Sequence, residues 1–146
     1  MYPYQYYRYI NLPRVPNEIV GKIKIDPAEY NGVLRGESYK WSDDFNQEVN
    51  DWCQKNICND VYFAFQMMTT NHHIHRDTGT KTKFIYLLDT GGDSVVTNFY
   101  DDDQTTIVDS VVLEPHRWCI LKVDSYHSVA GVENGKTRFA ITGKIF

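Results

Sequence analysis

The sequence contains few cysteines, and none of them shows a metal-binding spacing. Cys53, Cys58 and Cys119 are the only three among 146 residues, and no Cys-x-x-Cys or Cys/His zinc pattern includes them. A small, odd number of this kind is typical of reduced thiols in a protein from a reducing compartment. The sequence therefore predicts reduced core thiols and no cysteine-based zinc site.

Long apolar runs and an excess of basic residues are also absent. No stretch approaches the ~18 apolar residues that a membrane-spanning helix needs, and the tyrosine-rich residues 1–10 do not resemble a signal peptide. The net charge is −4, which argues against a broad phosphate-binding surface. We therefore expect a soluble, cytoplasmic protein with no membrane partner, and we do not expect nucleic acid as a partner.

The composition that is present belongs to a folded protein rich in short strands. Hydrophobic residues make up 42% and aromatic residues 14%, which is a globular composition. From residue 60 onward, short segments of β-branched and aromatic residues alternate with turn signals such as Gly91-Gly92. The predicted strands are 61–68, 84–88, 94–100, 106–113, 117–123 and 137–146. This succession predicts a β-sandwich or a jelly-roll barrel.

The first third of the chain predicts one helix that packs against those strands. Ser42 can cap the helix, which Asn56 or Asn59 would end. Four apolar residues at i, i+4, i+7 and i+8 form one helical face: Phe45, Val49, Trp52 and Cys53. Before the helix, a short strand is predicted from three isoleucines, Ile19, Ile23 and Ile25, and Pro27 would stop it.

The segment 71–79 carries three of the five histidines. In an extended chain, alternate side chains share a face, so His73, His75 and Asp77 would lie together. His75 and Asp77 could then bind one metal ion, with a third ligand from elsewhere. His116 lies in a predicted turn, whereas His127 follows a predicted strand and could be delivered by the end of a strand.

Two histidines and one carboxylate on one side of an ion leave the opposite side open. Iron(II) sites of this type bind both a co-substrate and oxygen at the open positions. A tetrahedral zinc site could use the same residues. A cupin-type site is a further alternative because 73–75 reads His-x-His, but the glutamate that normally follows is missing.

Arg138 is a candidate anion-binding residue in the last predicted strand. There it would share a face with Ala140 and Thr142. Burying an arginine among apolar neighbours is costly unless an anion meets it, and its guanidinium can bind a carboxylate through two parallel hydrogen bonds. A surface arginine on an edge strand is the alternative. Lys136 and Lys144 are alternative cations, although Lys136 lies in a predicted turn.

Together these residues resemble the 2-oxoglutarate- and iron(II)-dependent oxygenases of the prolyl-hydroxylase type, and most closely the short members encoded by marine bacteriophages. The family pattern is His-x-Asp, a distal His, and Arg or Lys about ten residues later. Here it falls on His75, Asp77, His127 and Arg138. The Gly91-Gly92 stretch between the two metal-binding segments also fits. The resemblance covers roughly residues 60–146, and the first 60 residues carry no matching motif.

The resemblance implies a mainly β fold with a flanking helix and a double-stranded β-helix (jelly-roll, cupin-like) core. It implies a single oxygenase domain over 1–146, in which 1–59 support a core formed by 60–146. Many members carry a serine at the position of Ala140 to help hold the co-substrate. Because this donor is missing here, we predict that Tyr86 replaces it.

The resemblance also implies a reaction. His75, Asp77 and His127 would hold iron(II), and Arg138 would bind the far carboxylate of 2-oxoglutarate. Oxygen would convert 2-oxoglutarate to succinate and carbon dioxide while a C–H bond is hydroxylated, and ascorbate could serve as an additional reductant. For a phage-encoded member, the location would be the host cytoplasm.

Three functions remain open at this level. The first is hydroxylation of a peptide or protein residue such as proline, in a groove to which the N-terminal tyrosines could contribute if they do not pack along a sheet edge. The second is nucleic-acid dealkylation, against which the acidic balance argues. The third is a non-catalytic jelly-roll module that keeps a metal. Retention of three metal ligands together with Arg138 favours an enzyme.

Overall fold

Strands account for most of the regular secondary structure among the described residues. The computed structural model describes residues 6–23, 33–35, 39–41 and 46–145, with only the backbone described at 33–35 and 39–41. The strands are β1 (Tyr7–Tyr9), β2 (Val33–Arg35), β3 (Tyr39–Trp41), β4 (Phe63–Met68), β5 (His72–His75), β6 (Thr82–Thr90), β7 (Val96–Tyr100), β8 (Ile107–Val111), β9 (Cys119–Lys122), β10 (His127–Ala130) and β11 (Arg138–Ile145). The helices are α1 (Asn17–Val20) and α2 (Gln47–Asn56).

The strands form two antiparallel sheets. One has seven strands in the order β1-β9-β6-β11-β4-β3-β2, and the other has four in the order β5-β10-β7-β8. Ile85 and Ala140 of the larger sheet share a buried cluster with Phe99 and Val111 of the smaller one. This shared apolar core is compatible with a β-sandwich and agrees with the predicted mainly β class.

The opposite face of the seven-stranded sheet carries the helices. Because side chains alternate along β6, Phe84 and Tyr86 lie on this face, whereas Ile85 lies between the sheets. Val49 and Cys53 of α2 pack into the same outer cluster. The flanking helix is therefore present and presents these predicted apolar residues to the sheet.

The ends of α2 agree with the prediction at one end only. The helix ends at Asn56 as predicted, but it begins at Gln47. Its N-cap is Asn46, whose side chain accepts a hydrogen bond from the backbone N–H of Val49 at 3.2 Å. The predicted cap Ser42 and the rest of 42–45 lie outside the described residues.

All six predicted strands are present, but the strand predicted from the isoleucines is wrong at its start. Ile19 lies in α1, and Ile23 lies in the turn that follows, where its N–H bonds to the carbonyl oxygen of Val20 at 3.0 Å. A spacing of four places both isoleucines on one helical face, where they join the outer cluster. Ile25 lies outside the described residues.

The N-terminal tyrosines that the structure describes support the sheet rather than an open groove. β1 pairs with β9 at the edge of the larger sheet, with Tyr7 opposite Leu121. Tyr6, Tyr7 and Tyr9 pack against the cluster between the sheets. Their apolar rings therefore extend the core. In the described part of the chain, no helix is long and apolar enough to cross a membrane.

Candidate metal centre

Strand pairing brings the distant histidines together. β10 lies between β5 and β7, and His127 is directly opposite His75 in the β5–β10 pair. Just after β5, the backbone N–H of Asp77 donates to the carbonyl oxygen of Val123 at 2.8 Å. This bond fixes the turn that carries the carboxylate beside the two histidines.

The three predicted ligands converge on one point. Nε2 of His75 is 3.6 Å from Oδ1 of Asp77, and Nε2 of His127 is 3.7 Å from the same oxygen. All three donor atoms lie within 4.8 Å of one another, and no other such group of histidine, cysteine or acidic residues occurs among the described residues. Two atoms that bind one ion at ~2.0–2.2 Å are about 3.0–3.6 Å apart. The group could therefore hold a metal ion after a small adjustment.

Backbone carbonyls orient both imidazoles. Nδ1 of His75 lies 2.9 Å from the carbonyl oxygen of His73, and Nδ1 of His127 lies 2.7 Å from that of Ser125. Because a carbonyl oxygen only accepts hydrogen bonds, each Nδ1 must carry the proton. Nε2 of each ring is then left with a lone pair directed toward Asp77, which is the arrangement that metal-binding histidines require.

The protonation state also suits metal binding. Burial lowers the pKa of His75, and burial followed by the nearby His75 lowers the pKa of His127 to about 4. Both imidazoles are therefore neutral at pH 7. Neutral imidazole is the form that binds a metal ion.

A bulge in β5 changes which neighbouring histidine faces the centre. His75 is opposite His127, but His72 is opposite Val129, so β5 contains one more residue than β10 over this span. His73 is consequently exposed, and the prediction that it shares a face with His75 is wrong. His72 lies there instead, stacked on His75 with ring centroids 3.8 Å apart. The His-x-His pair of the cupin alternative therefore does not form one ligand group.

A pocket opens between the two sheets beside this centre. His75 and His127 line it together with Arg138, and its walls are largely apolar. The wall residues that exclude water are Met68, Ile85, Leu121, Val129 and Ala140. Ala140 therefore shares the face of Arg138, as the alternation predicts, and it offers no hydrogen-bond donor from its side chain.

Arg138 is buried in this pocket rather than exposed on an edge. It is 4% exposed, and burial lowers its pKa to about 10. Its Nη1 donates to the carbonyl oxygen of Thr90 at 3.3 Å, and it makes no ion pair with any described residue. An anion bound in the pocket would offset the cost of burying this charge. Lys136, by contrast, is exposed and pairs with Glu133 at 3.0 Å.

Gly91 allows Arg138 to occupy this position. A Cβ atom at Gly91 would lie 2.8 Å from the Cβ of Arg138, and the backbone φ of Gly91 is +79°. Both the space and the left-handed conformation require glycine. The Gly-Gly motif is therefore explained in part by the close approach of the turn to Arg138.

Tyr86 does not reach the pocket, so its predicted role as the second donor is corrected. Its hydroxyl oxygen accepts the backbone N–H of Val15 at 3.2 Å, and its ring packs against Trp118 with centroids 4.8 Å apart. Both contacts lie on the helix side of the sheet. Strand alternation places Tyr86 on the face opposite to that of Ile85, and the pocket is on the Ile85 side.

The residue that sequence reasoning missed is Lys83. It lies on the same face of β6 as Ile85 and lines the pocket. Burial lowers the pKa of this lysine, and the Asp77 carboxylate opposes that shift. The signal that could have found Lys83 is its place two residues before Ile85, because side chains two residues apart in a strand share one face. Because Arg138 faces the same pocket, the candidate site contains two cations beside one carboxylate.

Comparison of the chain with models of known protein families and with curated proteins gave no match.

Proposed function

We propose that this protein is an iron(II)- and 2-oxoglutarate-dependent dioxygenase that hydroxylates a C–H bond. One observation carries the proposal: the pocket bordered by the His75, Asp77 and His127 group also contains the buried cation Arg138. A metal held by two histidines and one carboxylate has open positions for a chelating co-substrate and oxygen. A buried guanidinium in the same pocket supplies the partner for a second carboxylate.

The strand connections support a double-stranded β-helix. Four antiparallel pairs are nested within the chain: β4 with β11, β5 with β10, β6 with β9, and β7 with β8. From the outermost pair to the innermost, successive pairs belong alternately to the larger and the smaller sheet. A long hairpin that is wound in this way is a jelly roll. We therefore include the double-stranded β-helix in the proposal.

The donor set suits iron(II). Imidazole nitrogen and carboxylate oxygen on one side of the ion form the arrangement of non-haem iron oxygenases. A closed structural zinc site would need four protein ligands, and the described residues provide three. Bound iron(II) would supply the oxygen chemistry, in which one oxygen atom enters the co-substrate to give succinate and carbon dioxide and the other enters a C–H bond.

The protein's own residues bind and position the reactants. His75, Asp77 and His127 hold the metal from one side, and the carbonyl oxygens of residues 73 and 125 keep each imidazole in the tautomer that leaves Nε2 free. Arg138 binds the far carboxylate of 2-oxoglutarate and so directs its keto-acid end toward the metal. The apolar pocket walls exclude water from the space between.

For the substrate we propose a peptide or protein residue, with proline as the first candidate. The resemblance to prolyl hydroxylases favours this class. Charge argues against nucleic acid, since residues 84–116, which include the strands β7 and β8 of the smaller sheet, contain several acidic residues and neither lysine nor arginine. Hydroxylated peptides in a peptide library, detected as a gain of one oxygen atom in mass spectrometry, would support this assignment.

The test of the enzymatic proposal is oxygen-dependent succinate formation. The protein is loaded anaerobically with iron(II) and 2-oxoglutarate, oxygen is admitted, and succinate is measured with and without the peptide library. We expect succinate from the wild type and none from His127→Ala under the same conditions. A wild-type protein that binds iron but forms no succinate under either condition would instead indicate the non-catalytic module.

A further inference from the structure

The pocket contains a second cation, Lys83, at a different place from Arg138. In the β6–β11 pair, Lys83 is opposite Lys144, whereas Arg138 is opposite Thr90. Lys144 is six positions after Arg138 along β11, so the backbones of Lys83 and Arg138 are roughly 20 Å apart at 3.3 Å per residue. Because both side chains line one pocket, they approach it from opposite ends.

Lys83 lies at the metal end. The backbone N–H of Asp77 bonds to the carbonyl oxygen of Val123, and the N–H of Val123 bonds to that of Lys81, two residues before Lys83. The electrostatic influence of Lys83 agrees with this position, since it lowers the pKa of His72, His75 and His127, although it is not the largest cause for any of them.

The positive charge of Lys83 and Arg138 exceeds the negative charge at the candidate site. Asp77 supplies one negative charge at the metal end, and a bound divalent metal would more than neutralise it, so the charges of Lys83 and Arg138 would stay uncompensated. Lys83 makes no ion pair with any described residue within 4.0 Å. Two cations at the opposite ends of a largely apolar pocket are suited to an anion that has a carboxylate at each end.

We propose that Lys83 binds the metal-end carboxylate of the 2-oxo acid, while Arg138 binds the far carboxylate. This inference rests on the proposed function, because it assigns the two ends of the co-substrate to different residues. If His75, Asp77 and His127 hold a metal, the carboxylate beside the keto group would lie at this end of the pocket, and it would accept a hydrogen bond from Nζ of Lys83.

The test uses two ligands that differ only at the far end. 2-Oxoglutarate has both carboxylates, whereas 2-oxobutyrate keeps the keto-acid end and lacks the far carboxylate. Binding of each to the zinc-loaded protein, in which no turnover occurs, is measured by calorimetry. The variants are Lys83→Met, Lys83→Arg, Arg138→Met and Lys144→Gln. Lys144 is the matched control because it is the exposed lysine directly opposite Lys83 and does not line the pocket.

We expect Lys83→Met to weaken both ligands by a similar factor, about 10- to 100-fold, as removal of a charged hydrogen bond does. Lys83→Arg should restore most of the binding, Arg138→Met should weaken only 2-oxoglutarate, and Lys144→Gln should change neither ligand appreciably. Zinc titrations and melting temperatures of the same variants verify that each protein is folded and loaded with metal.

Two results would overturn the assignment of Lys83. If Lys83→Met weakens 2-oxoglutarate but leaves 2-oxobutyrate unchanged, Lys83 acts on the far carboxylate. If it changes neither ligand, Lys83 does not bind the co-substrate. Failure of the proposed function is distinguishable from both, because the wild-type zinc-loaded protein would then bind neither 2-oxo acid.

Discussion

The two candidate histidine ligands are oriented by the same local contact. In each, Nδ1 donates to the carbonyl oxygen of the residue two positions earlier in the chain, at 2.9 Å for His75 and 2.7 Å for His127. The contact needs only a short stretch of backbone, so each strand end fixes its own imidazole. The relative position of the two imidazoles then depends on strand pairing alone.

Removal of one ligand is expected to abolish tight metal binding without unfolding the protein. His127→Ala leaves two donors, and because loss of an outer-shell partner alone costs 10- to 100-fold in metal affinity, loss of a ligand should cost more than ~100-fold. The control is His73→Ala, since His73 is exposed and lies outside the donor group. A competition titration with a chromophoric chelator measures the affinity, and circular dichroism checks the fold. Equal affinities of the two variants would contradict the site.

Arg138 is expected to control co-substrate affinity independently of the metal. Breaking a desolvated charge pair costs about 2–5 kcal/mol, so Arg138→Ala should weaken 2-oxoglutarate binding by roughly 30- to 3,000-fold at 1.4 kcal/mol per tenfold. Iron affinity should be nearly unchanged. Lys136→Ala is the control, because Lys136 is exposed and pairs with Glu133. Calorimetric titrations that find the two variants alike would move the anion site away from Arg138.

Among the structural elements, the turn between β6 and β7 positions Arg138. It contains Gly91 and Gly92, and the N–H of Glu133 donates to the carbonyl oxygen of Gly91 at 2.9 Å. The turn therefore joins the end of β6 to the segment that precedes β11. Because Arg138 is opposite Thr90 at that place, the conformation of the turn determines where the guanidinium lies.

Two glycine substitutions separate backbone strain from displacement of Arg138. Gly91 and Gly135 have φ values of +79° and +80°, but an added Cβ meets Arg138 at Gly91 and nothing within 4 Å at Gly135. Both Gly91→Ala and Gly135→Ala should lose about 1–2 kcal/mol of unfolding free energy from the left-handed conformation. Only Gly91→Ala should also weaken 2-oxoglutarate binding. Urea unfolding and calorimetry measure the two effects, and equal co-substrate affinities would show that the contact does not position Arg138.

For the molecule as a whole, the buried histidines connect stability to pH. Burial is the largest cause that lowers the pKa of His72 to about 2 and that of His127 to about 4, and it also lowers the pKa of His75. The charged groups that face them have opposite effects, since Lys83 lowers and Asp77 raises the pKa of His75 and His127. The folded protein therefore resists protonation that the unfolded chain accepts.

The metal-free protein should consequently lose stability as the pH falls. Well above pH 6.5, histidine is neutral in both states and contributes no pH dependence. Between about 6.5 and 4, the unfolded chain binds protons that the folded protein does not, so the free energy of unfolding decreases toward low pH. Urea unfolding from pH 8 to 4.5 measures this slope.

Replacement of a buried histidine tests the cause of that slope. His127→Gln removes one titrating group and should flatten the decrease. If His127→Gln keeps the slope of the wild type, titration of His127 does not produce the pH dependence.

The sequence by itself determined the elements that depend on local patterns. Segments rich in β-branched and aromatic residues, separated by turn signals, predicted six strands, because both signals are local to each segment. The end of α2 was predicted at Asn56 or Asn59, and the helix ends at Asn56. The four residues that the structure places at or beside one pocket were named by the His-x-Asp triplet, a later histidine and an arginine about ten residues beyond it, which is the pattern of the family that the sequence resembles.

The tertiary structure decided what depends on pairing between distant segments. The short strands β1, β5 and β10 have weak local signals, and they are stabilised by neighbours that are remote in sequence. The bulge in β5 turned His72 rather than His73 toward the candidate metal centre. One additional residue in a strand moves every side chain beyond it to the opposite face of the sheet. Tertiary structure also decided that Lys83 and not Tyr86 lines the pocket. Because β6 is buried on both faces, only the packing of the second sheet against one face determines which of its side chains line the candidate site.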